Sequence, residues 1–176
     1  VAEALFPILE FEPTGSQEPI LRSRKRFILV SGGEQSGKSV STAVYLVIRY
    51  PDDMVDNPGQ GDGRGPPLLY WLVAKDYEGT RREFEYLAEH LTKLGLPIDA
   101  SKRIDPGYIT LKYPDERQPR VRIETKSARD PRSLRMFAPN GILGCEASQL
   151  ELETYHRLQT RLGPKRGWLF MSGTME

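Results

Sequence analysis

A glycine-rich stretch at residues 31–40, SGGEQSGKSV, contains the residues whose types and spacing point most directly to chemistry. Gly32, Gly37, Lys38 and Ser39 satisfy the pattern G-x-x-x-x-G-K-[ST], in which backbone N–H groups and the N-terminus of the next helix surround phosphate oxygens. Lys38 would reach the β- and γ-phosphates of a nucleotide, and the Ser39 hydroxyl would be a Mg²⁺ ligand. The alternative is a glycine-rich turn with an exposed lysine. The pattern favours an ATP or GTP site built by Gly32, Gly33, Glu34, Gln35, Ser36, Gly37, Lys38 and Ser39.

Hydrolysis at such a site also needs a group that positions water, usually an acidic residue at the end of another strand. Glu146 is the best candidate, because it follows the short apolar run GILGC and precedes a predicted helix. The alternative is a carboxylate that only stabilises the start of that helix through the helix dipole.

Strands and helices alternate along the chain, and this order predicts how the loop and Glu146 are brought together. Apolar runs at 26–31, 68–74 and 167–172 are typical of buried parallel strands, and 141–145 is a short strand candidate. Helices are predicted over 39–50, 76–95 and 148–163, the last opened by a capping box of Ser148 and Glu151. Residues 51–67 read as a loop, and 108–113 and 119–125 as an antiparallel pair. The order indicates one α/β domain with a mainly parallel central sheet flanked by helices.

Composition excludes several classes of protein. With 25 basic and 24 acidic residues, overall charge does not indicate a nucleic-acid binder, although seven Lys or Arg and only two acidic residues lie between Arg117 and Arg135. The single cysteine, Cys145, excludes an intrachain disulfide and a multi-cysteine zinc site. No apolar run approaches the ~20 residues of a membrane span, so we expect a soluble, intracellular protein.

The order of motifs resembles the ATPase domain of phage terminase large subunits, the motors that package viral DNA into procapsids. The resemblance covers nearly the whole chain and rests on the segments GGEQSGKS, KSARDPRSLRMFAPNGILGCEA and LFMSGTME. It implies a P-loop NTPase fold of the additional-strand, catalytic-glutamate type, with residues 1–25 as an arm on the adenine side and 26–176 as the ATPase core. It also implies MgATP hydrolysis that drives double-stranded DNA, a homo-oligomeric ring, portal protein and small terminase subunit as partners, and a place in the host cytoplasm.

The resemblance also assigns roles to single residues. It implies that Lys38 contacts phosphate, that Glu146 is the catalytic carboxylate, and that Gln17 contacts adenine. Arg135 would be an arginine finger that acts across a subunit boundary. Ser172, Gly173 and Thr174 would couple hydrolysis to movement. The alternatives are a surface glutamine at Gln17, a DNA-facing or solvated arginine at Arg135, and an ordinary turn after the last strand.

Three departures from the family pattern lead us to expect better nucleotide binding than hydrolysis. Cys145 stands where the family has a metal-organising Asp, and a thiol is a poor Mg²⁺ ligand, unless another acid reaches the metal in space. Glu34 stands where many relatives have an arginine, and Met136 replaces a glycine. Two alternatives stay open: a helicase-type DNA translocase, and a nucleotide-binding module with weak or lost hydrolysis. Family members continue into a nuclease domain with a cluster of acids, which does not follow here, so we expect no DNA cleavage.

Overall fold

A seven-stranded sheet organises the chain, which the structure, a computed structural model, describes over residues 2–33, 35–102 and 105–174. The strands are β1 (Phe27–Ser31), β2 (Leu68–Ala74), β3 (Ile98–Lys102), β4 (Tyr108–Leu111), β5 (Val121–Ser127), β6 (Gly141–Gly144) and β7 (Trp168–Gly173). Their order in the sheet is β1-β7-β6-β2-β5-β4-β3. The first five are mutually parallel, and β4 is antiparallel to both β5 and β3. The predicted α/β fold with a mainly parallel sheet is confirmed.

Helices cover both faces of the sheet. They are α1 (Ala2–Leu5), α2 (Gln17–Leu21), α3 (Lys38–Asp56), α4 (Arg81–Lys93) and α5 (Leu152–Leu162). β2 is buried on both faces: Tyr70 and Leu72 pack in the cluster that includes α3 and α4, and Trp71 and Val73 pack in the cluster that includes α5. This alternation follows from the two-residue period of a strand. None of the described helices is both long and apolar enough to cross a membrane.

α3 is longer than the sequence predicted, because it continues through Pro51 to Asp56, into the segment that we expected to be a loop. The buried Asp53 holds this last part of the helix against the sheet. Its Oδ2 atom accepts hydrogen bonds of 2.8 Å from the Tyr70 hydroxyl and from the Trp168 indole. Only residues 57–67 form the connection to β2. Tertiary contacts therefore outweigh the local tendency of proline to end a helix.

Three other elements differ from the prediction: β1 is more exposed, α5 begins at a later residue, and β3 was not predicted. β1 was expected to be buried, yet Phe27 is 44% and Leu29 is 68% exposed, because β1 lies at the edge of the sheet. The predicted capping box at Ser148 is wrong: residues 147–149 form a 3-10 turn, and α5 begins after Glu151 with no side-chain cap. β3, which extends the antiparallel end of the sheet, was not predicted.

The parallel strands place the candidate residues at one edge. β1, β7 and β6 are neighbours, so their carboxyl ends lie side by side. The glycine-rich loop follows β1, Cys145 and Glu146 follow β6, and Ser172 and Gly173 end β7. Ligands of α/β sheets bind at this edge.

Candidate nucleotide site

The loop between β1 and α3 is arranged around the Lys38 ammonium. Lys38 Nζ donates to the carbonyl oxygens of Gly32 at 2.9 Å and Gly33 at 2.5 Å, and it lies 3.4 Å from Ser36 Oγ. Gly37 has φ of +75°, the left-handed conformation that glycine adopts without a steric penalty, and it is the N-cap of the 19-residue α3. The N-terminus of this helix and the ammonium both favour an anion at the loop. Glu34 lies outside the described residues.

Gln17 lies next to Ser36 and Gly37 of this loop, although it comes from the N-terminal segment. Its Nε2 atom lies 3.4 Å from the Ser36 carbonyl oxygen, and its Oε1 atom accepts a 2.9 Å bond from the Thr14 N–H. A Cβ atom at Gly37 would come within 2.7 Å of Gln17 Nε2, so a side chain at that position would displace the Gln17 amide. The amide is therefore held next to the loop, where the resemblance expects an adenine contact.

Glu146 lies across a cavity from the loop. The cavity, of about 890 Å³, is lined by residues 35–39 of the loop region, by Glu146 and by Thr174, among others. Glu146 is half-buried and has φ of +48° and ψ of +56°, a left-handed conformation that is uncommon outside glycine. The structure thus brings together the glycine-rich loop and the acid that is predicted to position water.

Cys145, next to Glu146, is a buried thiol whose pKa is influenced by Glu83, an acid that was not among the predicted site residues. The thiol is fully buried, and burial raises its pKa well above the usual range, as does the nearby Glu83. Glu83 lies in the first turn of α4 and is 3% exposed. Burial raises the pKa of the Glu83 carboxyl, a hydrogen bond with the Ser39 side chain lowers it, and the charge of Glu146 raises it. Glu83 is thus a buried acid whose pKa responds both to Ser39 at the start of α3 and to Glu146 after β6.

The end of β7 contacts both halves of the site. Ser172 Oγ lies 3.1 Å from the hydroxyl of Thr42, which lies one turn after the loop in α3. Gly173 passes so close to the turn after Glu146 that an added Cβ would lie 3.0 Å from Ser148 N and 3.1 Å from Ala147 N. Thr174 lines the cavity, whereas Met175 and Glu176 lie outside the described residues. The predicted coupling segment is thus in contact with both the helix after the glycine-rich loop and the segment of the candidate catalytic acid.

Arg135 is not brought to this cavity. It is exposed on the loop between β5 and β6, and it is absent from the described residues that line the cavity of its own chain.

Most basic residues of the stretch from Arg117 to Arg135 form ion pairs with acidic side chains. Arg120 pairs with Glu116, Arg122 and Lys126 with Glu124, and Arg129 with Asp76.

Two further residues of α4, Arg82 and Tyr86, line the cavity and were missed. Arg82 and Lys38 are the cations among the described residues that line it.

For Glu83, the sequence signal that was overlooked is its position within α4. Glu83 shares a helix face with Phe84, Leu87 and Leu91, and all four are buried, so a charged residue occupies an otherwise apolar face.

Comparisons with known proteins give similarity in structure alone. No protein-family model and no curated protein match this sequence. A mutant of the large terminase ATPase domain of Thermus phage P74-26 has a TM-score of 0.75 at 19% identity, over 97% of this chain and 68% of that chain. The large terminase of a thermophilic bacteriophage, in complex with ADP, has a TM-score of 0.67 at 15% identity, over 92% of this chain and 39% of that chain.

The large terminase of bacteriophage HK97 also matches, with a TM-score of 0.65 at 12% identity, over 99% of this chain and 38% of that one. The chain therefore spans well under half of these two longer terminases. The similarity extends over nearly all of the sheet and helices described above. The chain thus has the fold of the phage large terminase ATPase domain, a P-loop NTPase fold.

Proposed function

We propose that this chain is the ATP-hydrolysing part of a motor that moves double-stranded DNA during viral genome packaging. One observation carries the proposal: the phosphate loop, Glu146 and Thr174 line one cavity in a fold shared with phage large terminase ATPase domains. The large terminase of the thermophilic bacteriophage, which shares this fold, was solved in complex with ADP and with ATP-gamma-S. These complexes support a nucleotide in the cavity of this chain.

The residues of the loop fit a nucleoside triphosphate. Lys38 would exchange its contacts with the carbonyl groups of Gly32 and Gly33 for contacts with phosphate oxygens, and the N-terminus of α3 would add further N–H groups. Gln17, held against the loop, would contact the base. The cavity of about 890 Å³ has room for a ligand of this size.

Glu146 would accept a hydrogen bond from the attacking water and orient it toward the γ-phosphate. Mg²⁺ bound with the nucleotide would neutralise phosphate charge in the transition state, and the Ser39 hydroxyl fits such a hard cation, whereas the buried Cys145 thiol does not. The remaining positive charge would come from an arginine. Arg135 of a neighbouring subunit is one candidate, and Arg82, which lines the cavity of its own chain, is the other.

Movement would follow from the contacts of β7. Ser172, Gly173 and Thr174 would transmit a displacement at the site to the rest of the motor, because they contact Thr42, Ala147 and the cavity. The proposed partners are double-stranded DNA, further copies of this chain in a ring, portal protein and small terminase subunit. The proposed place of action is the procapsid portal in the host cytoplasm.

Nucleotide binding is tested by calorimetry with ADP and with ATP-gamma-S in the presence of Mg²⁺. Lys38→Ala should abolish binding, because the backbone alone does not neutralise the phosphates. Lys25→Ala is the matched control, since Lys25 is exposed at the opposite end of β1. Equal affinity of Lys38→Ala and wild type would refute the phosphate-loop assignment.

Hydrolysis is tested by the ATPase rate with and without double-stranded DNA. A DNA-dependent increase that Glu146→Gln removes would support the motor. The second candidate function is a nucleotide-binding module without turnover, which the neutral Cys145 at the end of β6 favours. It predicts tight binding and no DNA-dependent turnover, even for the assembled protein.

A further inference from the structure

Two side chains of α4 line the cavity beside the glycine-rich loop. Arg82 and Tyr86 are four residues apart, so they lie on one side of the helix, and residues 35–40 and Glu146 line the same cavity. The Tyr86 ring stacks on that of the buried His90, with centroids 6.4 Å apart and ring planes 17° apart. This packing sets the side of α4 that borders the cavity. Arg82 therefore reaches the cavity from a defined position in the fold.

Arg82 brings a positive charge that no acidic side chain of the described residues neutralises. It takes part in none of their ion pairs, whereas the neighbouring Arg81 pairs with Asp105 at 3.1 Å. Arg82 is exposed, so the N–H donors of its guanidinium are open to a ligand. The charged side chains that line the cavity are Lys38, Arg82 and Glu146. Two cations and one acid favour an anionic ligand.

The two cations suit different parts of a nucleotide. Lys38 belongs to the loop, whose N–H groups and lysine hold the phosphates up to the β–γ bridge in P-loop proteins. The γ-phosphate adds oxygen atoms that ADP lacks, and a guanidinium binds such oxygens through paired, charge-assisted hydrogen bonds. Glu146, which would orient water at this phosphate, would also repel it through its own charge. Arg82, which lines the same cavity, would offset that repulsion.

We propose that Arg82 contacts the γ-phosphate within its own chain and makes this site select a nucleoside triphosphate over a diphosphate. The inference rests on the proposed function, because it concerns the nucleotide of the same site. It differs from the role of an arginine that acts only in the transition state, because selection of the triphosphate is measured in binding without turnover.

The test compares the affinities of ATP-gamma-S and ADP by calorimetry in the presence of Mg²⁺. Arg82→Ala should weaken ATP-gamma-S about 10-fold or more, the scale for a lost hydrogen bond to a charged group, and should leave the affinity for ADP nearly unchanged. Arg81→Ala is the matched control, because Arg81 is the adjacent arginine, pairs with Asp105 and is absent from the described lining of the cavity. It should bind both ligands like wild type.

A second variant separates the geometry of the guanidinium from its charge. Arg82→Lys keeps a positive charge but loses the paired donors, so it should recover only part of the affinity for ATP-gamma-S. Because Arg82 is exposed, both variants should melt at the temperature of the wild type. A structural role for Arg82 predicts instead a lower Tm and an equal loss of affinity for both ligands.

The outcomes distinguish this inference from the proposed function. Wild-type protein that binds both ligands, with the ratio of their affinities unchanged in Arg82→Ala, overturns the role of Arg82 and leaves the nucleotide site intact. Wild-type protein that binds neither ligand overturns the nucleotide site itself, and the inference with it.

Discussion

At the scale of single residues, Glu146 holds a backbone conformation that most side chains avoid. Its φ of +48° costs about 1 kcal/mol relative to glycine, and such strain is retained where the position of a side chain matters. Glu146→Gly should therefore raise the free energy of unfolding by about 1 kcal/mol, whereas Glu146→Gln should leave it nearly unchanged. Both variants should lose hydrolysis. Chemical denaturation and an ATPase assay measure the two effects.

Arg166 provides the control for this strain, because it also has positive φ, +51°, and is exposed. Arg166→Gly should raise stability by a similar amount without any effect on hydrolysis. A Glu146→Gly variant less stable than wild type would show that contacts of the side chain, rather than strain, dominate at this position.

His90 gives the stability of the protein a dependence on pH. It is buried in α4, and neither ring nitrogen has a hydrogen-bond partner among the described residues. Burial lowers the pKa of His90 below its ordinary value of 6.5, so the unfolded chain binds this proton more readily than the folded one. This contribution to stability is present above pH 6.5 and is lost as the pH falls through the lowered pKa.

Replacement of His90 by leucine should remove this contribution. From pH 7 to pH 5 the wild type should therefore lose unfolding free energy that His90→Leu retains. The stability of the variant relative to wild type should increase over this range. Urea denaturation at several pH values measures it, with the exposed His156→Leu as control. A constant difference across this range would contradict the assignment.

At the scale of elements, the last turns of α3 depend on one carboxylate. Asp53 accepts from Tyr70 and Trp168 and pairs with Arg49 Nε at 3.2 Å, so Asp53→Ala leaves two buried donors without their partner and Arg49 with only the longer pair of 4.0 Å to Asp56. We expect a loss of about 3–5 kcal/mol in unfolding free energy, the scale for a broken buried pair. Thermal and urea denaturation measure it.

The control is Asp56→Ala on the same helix, because the Asp56 side chain is 64% exposed. Its effect should stay within about 0.5 kcal/mol, as for most surface substitutions. Equal effects of the two substitutions would mean that Asp53 does not anchor the helix.

The order of elements could be predicted from sequence, because each strand and helix leaves a local pattern. The glycine-rich loop between β1 and α3 was predictable for the same reason, since its residues are contiguous. Arg82 and Tyr86 were not, because they reach the cavity from a helix that is more than 40 residues away and carries no motif. The extension of α3 through Pro51 depends on Tyr70 and Trp168, which are also distant in sequence.

At the scale of the whole molecule, we predict that Arg135 acts at the site of a neighbouring subunit. It is exposed and lies outside the cavity of its own chain, so Arg135→Ala should leave nucleotide binding unchanged. If Arg135 completes a neighbouring site, turnover of the assembled protein should fall by about 10³-fold or more. Mixing Arg135→Ala with Glu146→Gln protein should then restore part of the activity, because mixed interfaces contain both residues.

Arg82→Ala provides the contrast, since Arg82 lines the cavity of its own chain. Mixing Arg82→Ala with Glu146→Gln protein should not restore activity. If Arg82 acts within its own chain, each chain in the mixture lacks one residue of its own site, and a neighbouring chain does not supply it. A failure of Arg135→Ala to complement would place that arginine on DNA or within its own subunit.

Binding of DNA should depend on a subset of the basic stretch. Arg120, Arg122, Lys126 and Arg129 are engaged in ion pairs, whereas Arg117 and Arg132 are exposed. If the exposed arginines contact phosphates, Arg117→Ala and Arg132→Ala should each weaken binding at all sequences and reduce the salt slope by about one. Fluorescence anisotropy across salt concentrations measures this, with Arg157→Ala on α5 as control. A slope unchanged in both variants would remove this stretch from the DNA path.

The edge position of β1 also leads to a prediction about the behaviour of the chain in solution. Leu29 and Phe27 are exposed there, and an apolar groove of about 460 Å³ beside them continues to Leu152, which is 70% exposed. Among the described residues β1 pairs with β7 alone, so its outer edge offers backbone N–H and C=O groups as a template for another strand. The chain should therefore self-associate reversibly as its concentration rises, and light scattering should detect it. A charged residue on β1, as in Leu29→Lys, should reduce this self-association and raise the protein concentration that stays in solution.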